Sequence, residues 1–250
     1  MSAWTLEGIK LPGYEGRVAV VTGAARNIGR AIAEAMREQG AQVALLDMDW
    51  GGEEVPEDPG MLALDCDVAD EAAVDAAISR VEATFGAPSI LVNNAGILGP
   101  AGVLDTSPEE WQRVFDVNSM GAFLCIRRVL PAMRAARYGR IINIGSNSGK
   151  MGSLSGVTAY AASKGAVHTL AKAVAPEVAA EGITVNALAP SMIRSRMTER
   201  PDMDQYAALV LVGRMGTPDD VAYAALFLGS SAASFITAEV MDVNGGYYID

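Results

Sequence analysis

Residues Arg17 to Arg30 read RVAVVTGAARNIGR: a β-branched run, a glycine turn and the opening of a helix. The near-continuous apolar run RVAVVTG fits a strand buried on both faces. From Ile28 to Gln39, the residues Ile32, Ala35 and Met36 fall on one side of a helix that stops at Gly40. Gly23 allows a tight turn after the strand, and Gly29 allows the helix to lie close to it. Where a phosphate-cradling loop places its middle glycine, this chain carries Asn27, directly after Arg26. Asn is among the few non-glycine residues that tolerate a left-handed backbone. A strand-to-helix turn of this kind aims free amides and the positive helix end at an anion, as dinucleotide loops do. Gly23, Arg26, Asn27, Ile28 and Gly29 are therefore candidates for a pyrophosphate cradle.

Strands and helices alternate along the rest of the chain. QVALLD (42–47), MLALD (61–65), ILVNNAG (90–96), RIINIGS (140–146), TVNALAP (184–190) and EVMDV (239–243) read as strands. Helices are expected from Asp70 to about Phe85 and through Tyr160 to Ala180. Ser107-Pro108-Glu109-Glu110 and Thr217-Pro218-Asp219-Asp220 each combine a hydroxyl cap, Pro at the first helical position and an acid three residues after the cap. No linker, repeat or low-complexity tract interrupts the alternation. The expectation is one α/β domain over residues 1–250, a Rossmann-like doubly wound parallel sheet of about seven strands with helices on both faces. A closed barrel of alternating units is the competing fold, and the first turn decides against it. Residues 1–15 read as an N-terminal arm and 191–212 as a substrate lid. Gly51, Gly52, Pro56, Pro59 and Gly60 predict a shortened loop instead of a helix between the second and third strands.

Composition narrows the function. The chain has 250 residues, half of them apolar, and a net charge of -11. Such acidity opposes binding to phosphate backbones, so nucleic acid is not an expected partner. Cys66 and Cys125 form no disulfide or metal pattern, and with His168 as the single histidine a His/Cys zinc site is excluded. The N-terminus lacks a basic region followed by an apolar one, and no run has the length of a membrane span. A cytoplasmic protein without membrane or metal is the expectation.

NNAG at 93–96, Ser146 at the end of RIINIGS, and YAASK at 160–164 together resemble the short-chain dehydrogenase/reductase family, from Arg17 to about Gly246. Tyr160 and Lys164 are four apart and so project from one helix face. A free tyrosine ionises near ~10, and bringing it to neutral pH takes roughly 4 kcal/mol of preference for phenolate. An ammonium about 4 Å away supplies on the order of 4 kcal/mol at an effective dielectric of ~20. One lysine is thus about enough, and an oxidised nicotinamide adds to it. Ser146 stands at the carboxyl edge of the sheet, where its hydroxyl can hold a substrate oxygen. The resemblance selects Ser146 over Ser148, although the loop to Tyr160 is one residue longer than the family's usual spacing. It also matches Asn118, in DVNSMG, to the family's asparagine behind the lysine.

By the same resemblance, Asn94, Ala95 and Gly96 lie under the adenosine ribose and pyrophosphate, and Asp67 and Val68 contact adenine. Pro190, Ile193 and Ser195 fall where the family contacts the nicotinamide carboxamide, with Ser191 replacing a usual Gly and Ser195 a common Thr. The dinucleotide itself is a contest of charges. Asp47 ends the second strand, where an acid binds the ribose hydroxyls and repels a 2′-phosphate. Arg26 pulls the other way, since the family's NADP-binding members often carry a basic residue there. The acidic run DMDWGGEEVPEDPG adds Asp49, Glu53, Glu54, Glu57 and Asp58 to the same side. NAD is expected over NADP, leaving Arg26 to pair with Asp47 or to stack on adenine.

The expected activity is hydride transfer between NAD(H) and a small secondary alcohol or ketone, with Tyr160 as general acid/base. Alternatives are an NADP-dependent carbonyl reductase resembling 3-oxoacyl carrier-protein reductases, or an NAD-sensing or scaffold protein without catalysis. The resemblance implies a homotetramer. Arg194, Arg196 and Arg200 in the lid point to an anionic substrate, and Asn147 and Ser148 to a hydroxylated one. His168 reads as a packing or surface residue. Trp4 and Tyr14 of the arm pack on a neighbour or on the domain itself.

Overall fold

The computed structural model describes residues 10–54, 56–99, 102–152, 156–194 and 207–249. Ser195 of the expected nicotinamide contacts, Arg196 and Arg200 of the lid, and Trp4 of the arm lie outside the described residues. Seven strands, all parallel, form one sheet: β1 (Val18–Thr22), β2 (Gln42–Asp47), β3 (Met61–Asp65), β4 (Ile90–Asn93), β5 (Gly139–Ile144), β6 (Ile183–Pro190) and β7 (Val240–Val243). Their order across the sheet is β3-β2-β1-β4-β5-β6-β7. The chain runs outward from β1 in one direction and from β4 in the other. The crevice between the carboxyl ends of these two strands is therefore the switch point at which such sheets bind ligands.

Strand periodicity distributes the core to both faces. Val18 and Val20 of β1 join Leu46, Ile78, Leu91, Val129 and Ile141 on one side. Ala19 and Val21 join Ile32, Met36, Leu45, Val92 and Ile142 on the other. The first layer is covered by α2 (Glu71–Phe85), α4 (Gly121–Ala136) and α6 (Thr158–Val178), the second by α1 (Asn27–Glu38) and α7 (Pro218–Gly229). Two shorter helices, α3 (Pro108–Phe115) and α5 (Ser148–Met151), lead into α4 and follow β5.

The helix starts follow their sequence signals. Ser107 Oγ accepts from Glu110 N at 3.2 Å while Glu110 returns a carboxylate to Ser107 N at 3.0 Å. Asp220 accepts from Thr217 N at 2.7 Å and also grips Arg214 at 2.7 and 2.8 Å, which holds its carboxyl down to about 2. Asp70 caps α2 through Ala72 N. Tyr14 settles the arm's alternatives for its own part: it is fully buried against this domain, and its hydroxyl donates to the Leu226 carbonyl. The described residues between β2 and β3 contain no helix, as Gly51, Gly52, Pro56, Pro59 and Gly60 imply. No helix among the described residues is long and apolar enough to cross a membrane.

Candidate active site

A cavity of about 1170 Å³ opens along the carboxyl ends of β1, β2, β4, β5 and β6. Its first end is the glycine loop. Asn27 adopts φ 51°, the left-handed conformation in which it replaces glycine. At Gly29 a side chain is impossible: a Cβ would stand 2.2 Å from the Gly23 carbonyl oxygen. The first turn of α1 can thus lie directly on the end of β1, with its amides turned toward the cavity. Asn94 locks this arrangement by donating its side-chain amide to Thr22 O at 2.9 Å and Gly23 O at 2.8 Å. Thr22 Oγ1 in turn accepts from Asn94 N and Ala95 N at 3.0 and 3.1 Å. Thr22 passed unnoticed in the sequence because it reads as one more β-branched strand residue.

Asp47 ends β2 at the rim of the cavity. Its carboxylate accepts from Ala25 N at 3.0 Å and from Asp49 N at 3.1 Å, tying the glycine loop to β2. The expected Arg26–Asp47 pair does not form. Arg26 instead faces Asp49 at 3.4 Å and Glu53 at 3.9 Å. Asp47 is turned toward the loop amides, while the following segment crosses beside Arg26. Asp67 and Val68, just beyond β3, also line the cavity, and Asp67 accepts from Ala69 N at 3.0 Å. Cys66 lines it too; burial pushes its thiol up to about 11 and that of Cys125 to about 12, so both are inert thiols.

The other end collects the catalytic candidates. Tyr160 and Lys164 rise from the same face of α6 into the cavity, and Ser146 meets them two residues beyond β5. The Ser146 hydroxyl draws the Tyr160 phenol down against burial, and Ser146 Oγ accepts from Ser148 N at 3.2 Å. Asn118 does not line the cavity but sits buried behind it, in the single π-helical turn Asp116–Met120 that leads into α4. Such turns re-aim a side chain by widening the helix. Asn118 accepts from Ile97 N at 2.8 Å and donates to Ile97 O at 3.0 Å and Ser163 Oγ at 2.9 Å. Ser163 closes the loop by donating to Tyr160 O at 2.8 Å. Gly96 brings β4 against this cluster: a Cβ there would lie 3.2 Å from both Asn118 Oδ1 and Lys164 Nζ.

The electrostatics correct the sequence argument. Lys164 Nζ donates to Ile144 O at 2.7 Å and lies 5.7 Å from the centre of the Tyr160 ring. A positive charge on this face favours the phenolate. Burial works against it, pushing the Tyr160 phenol up, with the Ser146 hydrogen bond opposing. Burial also brings Lys164 down to about 8, so it still carries its proton at neutral pH. Burial thus opposes the tuning that the i, i+4 spacing implies.

His168 is neither surface nor simple packing. It lies one turn beyond Lys164, buried, and its Nε2 accepts from Ser146 N at 3.3 Å. Burial first, then Lys164, Lys150 and Lys172, bring it down to about 4, so the imidazole is neutral and free to accept. Gly145 and Gly149 make room: a Cβ on them would stand 2.0 and 2.9 Å from the imidazole. The i, i+4, i+8 spacing of Tyr160, Lys164 and His168 was the signal for this role. Pro190 and Ile193 line the cavity, as do Met192, Leu209 and Tyr247. Nothing in the Gly-rich tail marks Tyr247 as facing a site.

Residues 23–248 match the profile of the family described as enoyl-(acyl carrier protein) reductase. The chain is 41% identical over 243 residues to a 3-oxoacyl-(acyl-carrier-protein) reductase of Vibrio harveyi, covering 94% of this chain and 98% of that one. It is 39% identical over 242 residues to the 3-oxoacyl-(acyl-carrier-protein) reductase of Escherichia coli, covering 94% and 99%. A crystal structure of a putative gluconate dehydrogenase from Agrobacterium tumefaciens matches with a TM-score of 0.85 at 30% identity, over 95% of this chain and 97% of that one. With the parallel sheet, the cradle at β1 and the Ser146–Tyr160–Lys164 cluster, these likenesses show that the chain belongs to the short-chain dehydrogenase/reductase family of oxidoreductases.

Proposed function

We propose that the chain transfers hydride between NAD(H) and a secondary alcohol or ketone. The observation that carries this reading is one cavity lined by Tyr160, Ser146 and Lys164 at one end and by Asp47 at the other. The cradle fits a dinucleotide: the left-handed Asn27 and the side-chain-free Gly29 leave the α1 amides open to a pyrophosphate. A nicotinamide cofactor supplies the site that gives or accepts hydride and, when oxidised, a positive charge.

The protein's own residues do the rest. Ser146 Oγ holds the substrate oxygen, its backbone steadied by His168. Tyr160 takes the hydroxyl proton in oxidation and returns it in reduction. Lys164 favours the phenolate and binds the nicotinamide ribose, and Asn118 holds the segment at Ile97 for a proton relay behind the lysine. Gly23, Ile28, Asn94, Ala95 and Gly96 bound the pyrophosphate and ribose, Asp67 and Val68 the adenine, and Pro190 and Ile193 the nicotinamide. Residues 191–194 and 207–212, the described parts of the expected lid, flank the substrate within a single catalytic domain. Met192 and Leu209 on the cavity wall support that placement.

The 3-oxoacyl relatives and Arg26 favour a second reading, an NADP-dependent reductase of a ketone on an acyl carrier. Asp47 at the end of β2 favours NAD. Steady-state turnover with each cofactor discriminates: kcat/KM at least tenfold higher with NAD is expected, and a preference for NADP sinks the first reading. A homotetramer belongs to the same proposal. It is supported by apolar surface at Trp111, Met120 and Phe123 around α3 and α4 and is checked by sedimentation equilibrium.

A further inference from the structure

Three arginines at the start and along α1 hold down the helix-free segment between β2 and β3. Arg37 grips Asp58 through Nε and Nη2, both at 3.0 Å. Arg30 pairs with Glu34 at 2.6 Å and donates to the Glu54 carbonyl at 3.0 Å. Arg26 donates to the Asp49 carbonyl and faces the carboxylates of Asp49 at 3.4 Å and Glu53 at 3.9 Å. The segment is tied to the glycine loop as well, because Asp47 accepts from both Ala25 N and Asp49 N. Close beside these contacts the chain turns through Gly51 at φ 53°, where a Cβ would stand 2.6 Å from Arg26 Nη2.

Arg26 is the only arginine lining the cavity among the described residues. A guanidinium near the end of β2 is the group that accommodates a ribose 2′-phosphate. To do so it must present its donors to the phosphate oxygens. Here Nη2 donates to the Asp49 backbone carbonyl, and the carboxylates of Asp49 and Glu53 stand 3.4 Å from Nη2 and 3.9 Å from Nε. An entering phosphate would have to displace two carboxylates while approaching a third, Asp47.

We propose that this acidic strap determines cofactor choice: Asp49 and Glu53 hold Arg26 in an internal ion pair and so withhold it from a ribose 2′-phosphate. The inference rests on the NAD reading above and extends specificity to residues beyond Asp47. It explains how an arginine in the glycine loop is compatible with an unphosphorylated ribose. The strap turns a potential phosphate ligand into a structural anchor.

The test is binding, read by fluorescence titration of the full-length protein with NADH and with NADPH at low salt. The wild type should bind NADH more tightly. Asp49→Asn with Glu53→Gln should lower the ratio of the NADPH Kd to the NADH Kd at least tenfold, and adding Arg26→Gln should restore the wild-type ratio. If that double variant does not fold, Asp49→Asn alone should lower the ratio about threefold. An unchanged ratio in a folded variant, or a gain that survives Arg26→Gln, overturns the strap and leaves the NAD reading standing. Tighter binding of NADPH by the wild type overturns the NAD reading, and the strap with it.

Discussion

The two ends of the cavity are built from similar side chains in opposite surroundings. Around Tyr160, the polar groups of Asn118, Lys164 and His168 are buried and bound mostly to backbone. Around Arg26, the ions face one another at the surface, with side-chain exposures of 25% for Arg26, 68% for Asp49 and 30% for Glu53. Burial at the first end moves the Tyr160, Lys164 and His168 pKa values strongly. Water and salt screen the second end, where the proposed cofactor choice would draw on modest energies. Proton chemistry needs the dry end, because only there does a group change affinity for its proton by several kcal/mol. Discrimination between two ribose forms needs only a factor of ten or so, about 1.4 kcal/mol, which exposed ions can supply.

Perturbing the dry end should give the largest effects. Ser146→Ala removes the hydroxyl proposed to hold the substrate oxygen, and turnover should fall about 10²- to 10³-fold. Cofactor binding should be retained by NADH titration; a loss below tenfold would place the substrate oxygen elsewhere. Lys164 has a folded pKa of about 8, below its usual 10.5. Between those values the unfolded chain binds the extra proton, so stability rises with pH across that window. Lys164→Met should lack this rise, which is worth on the order of 3 kcal/mol in urea unfolding. Equal pH slopes for variant and wild type would show that the lysine is not desolvated.

His168 tests the same contrast from the acid side. Its folded pKa of about 4 lies below the usual 6.5, so its stability contribution is lost as pH falls from 6.5 toward 4. His168→Gln should flatten that limb in pH-dependent unfolding, an effect of at most a few kcal/mol. An unaltered acid limb would remove the buried imidazole from the account. The smallest effect is expected at the wet end. Asp58→Asn breaks a bidentate but exposed pair with Arg37 and should shift the urea midpoint only slightly, and less still in salt. A larger loss in urea unfolding would mean that the strap is structurally stiffer than its exposure implies.

Those contrasts follow what the sequence makes legible. Local rules sufficed for the β1 turn: Asn27 has the left-handed backbone that its place in TGAARNIGR demands, and Gly29 the close contact. Both S/T-Pro-acid signals became helix starts, since a cap involves only four neighbouring residues. The order and spacing of Ser146, Tyr160 and Lys164 also sufficed to bring them to one cavity. What was not legible depends on burial and on the path of the chain. Lys164 looked sufficient to tune Tyr160 because a sequence supplies spacing, not the desolvation that opposes it. Nothing in DVNSM announces a π-helical turn, and nothing in an irregular loop says that Asp49 and Glu53, not Asp47, will reach Arg26. His168 carried a signal in its spacing, but its partner, the Ser146 amide, comes from another element.

The central claim is that Tyr160 moves the proton while the rest of the cavity binds. Tyr160→Phe removes one oxygen and leaves the ring, so the most direct measurement pairs NADH titration with turnover on a panel of alcohols, polyols and keto acids. The account predicts an NADH Kd within about threefold of wild type and a turnover at least ~10³-fold lower on every substrate the wild type accepts. Turnover close to wild type in the folded variant would contradict it.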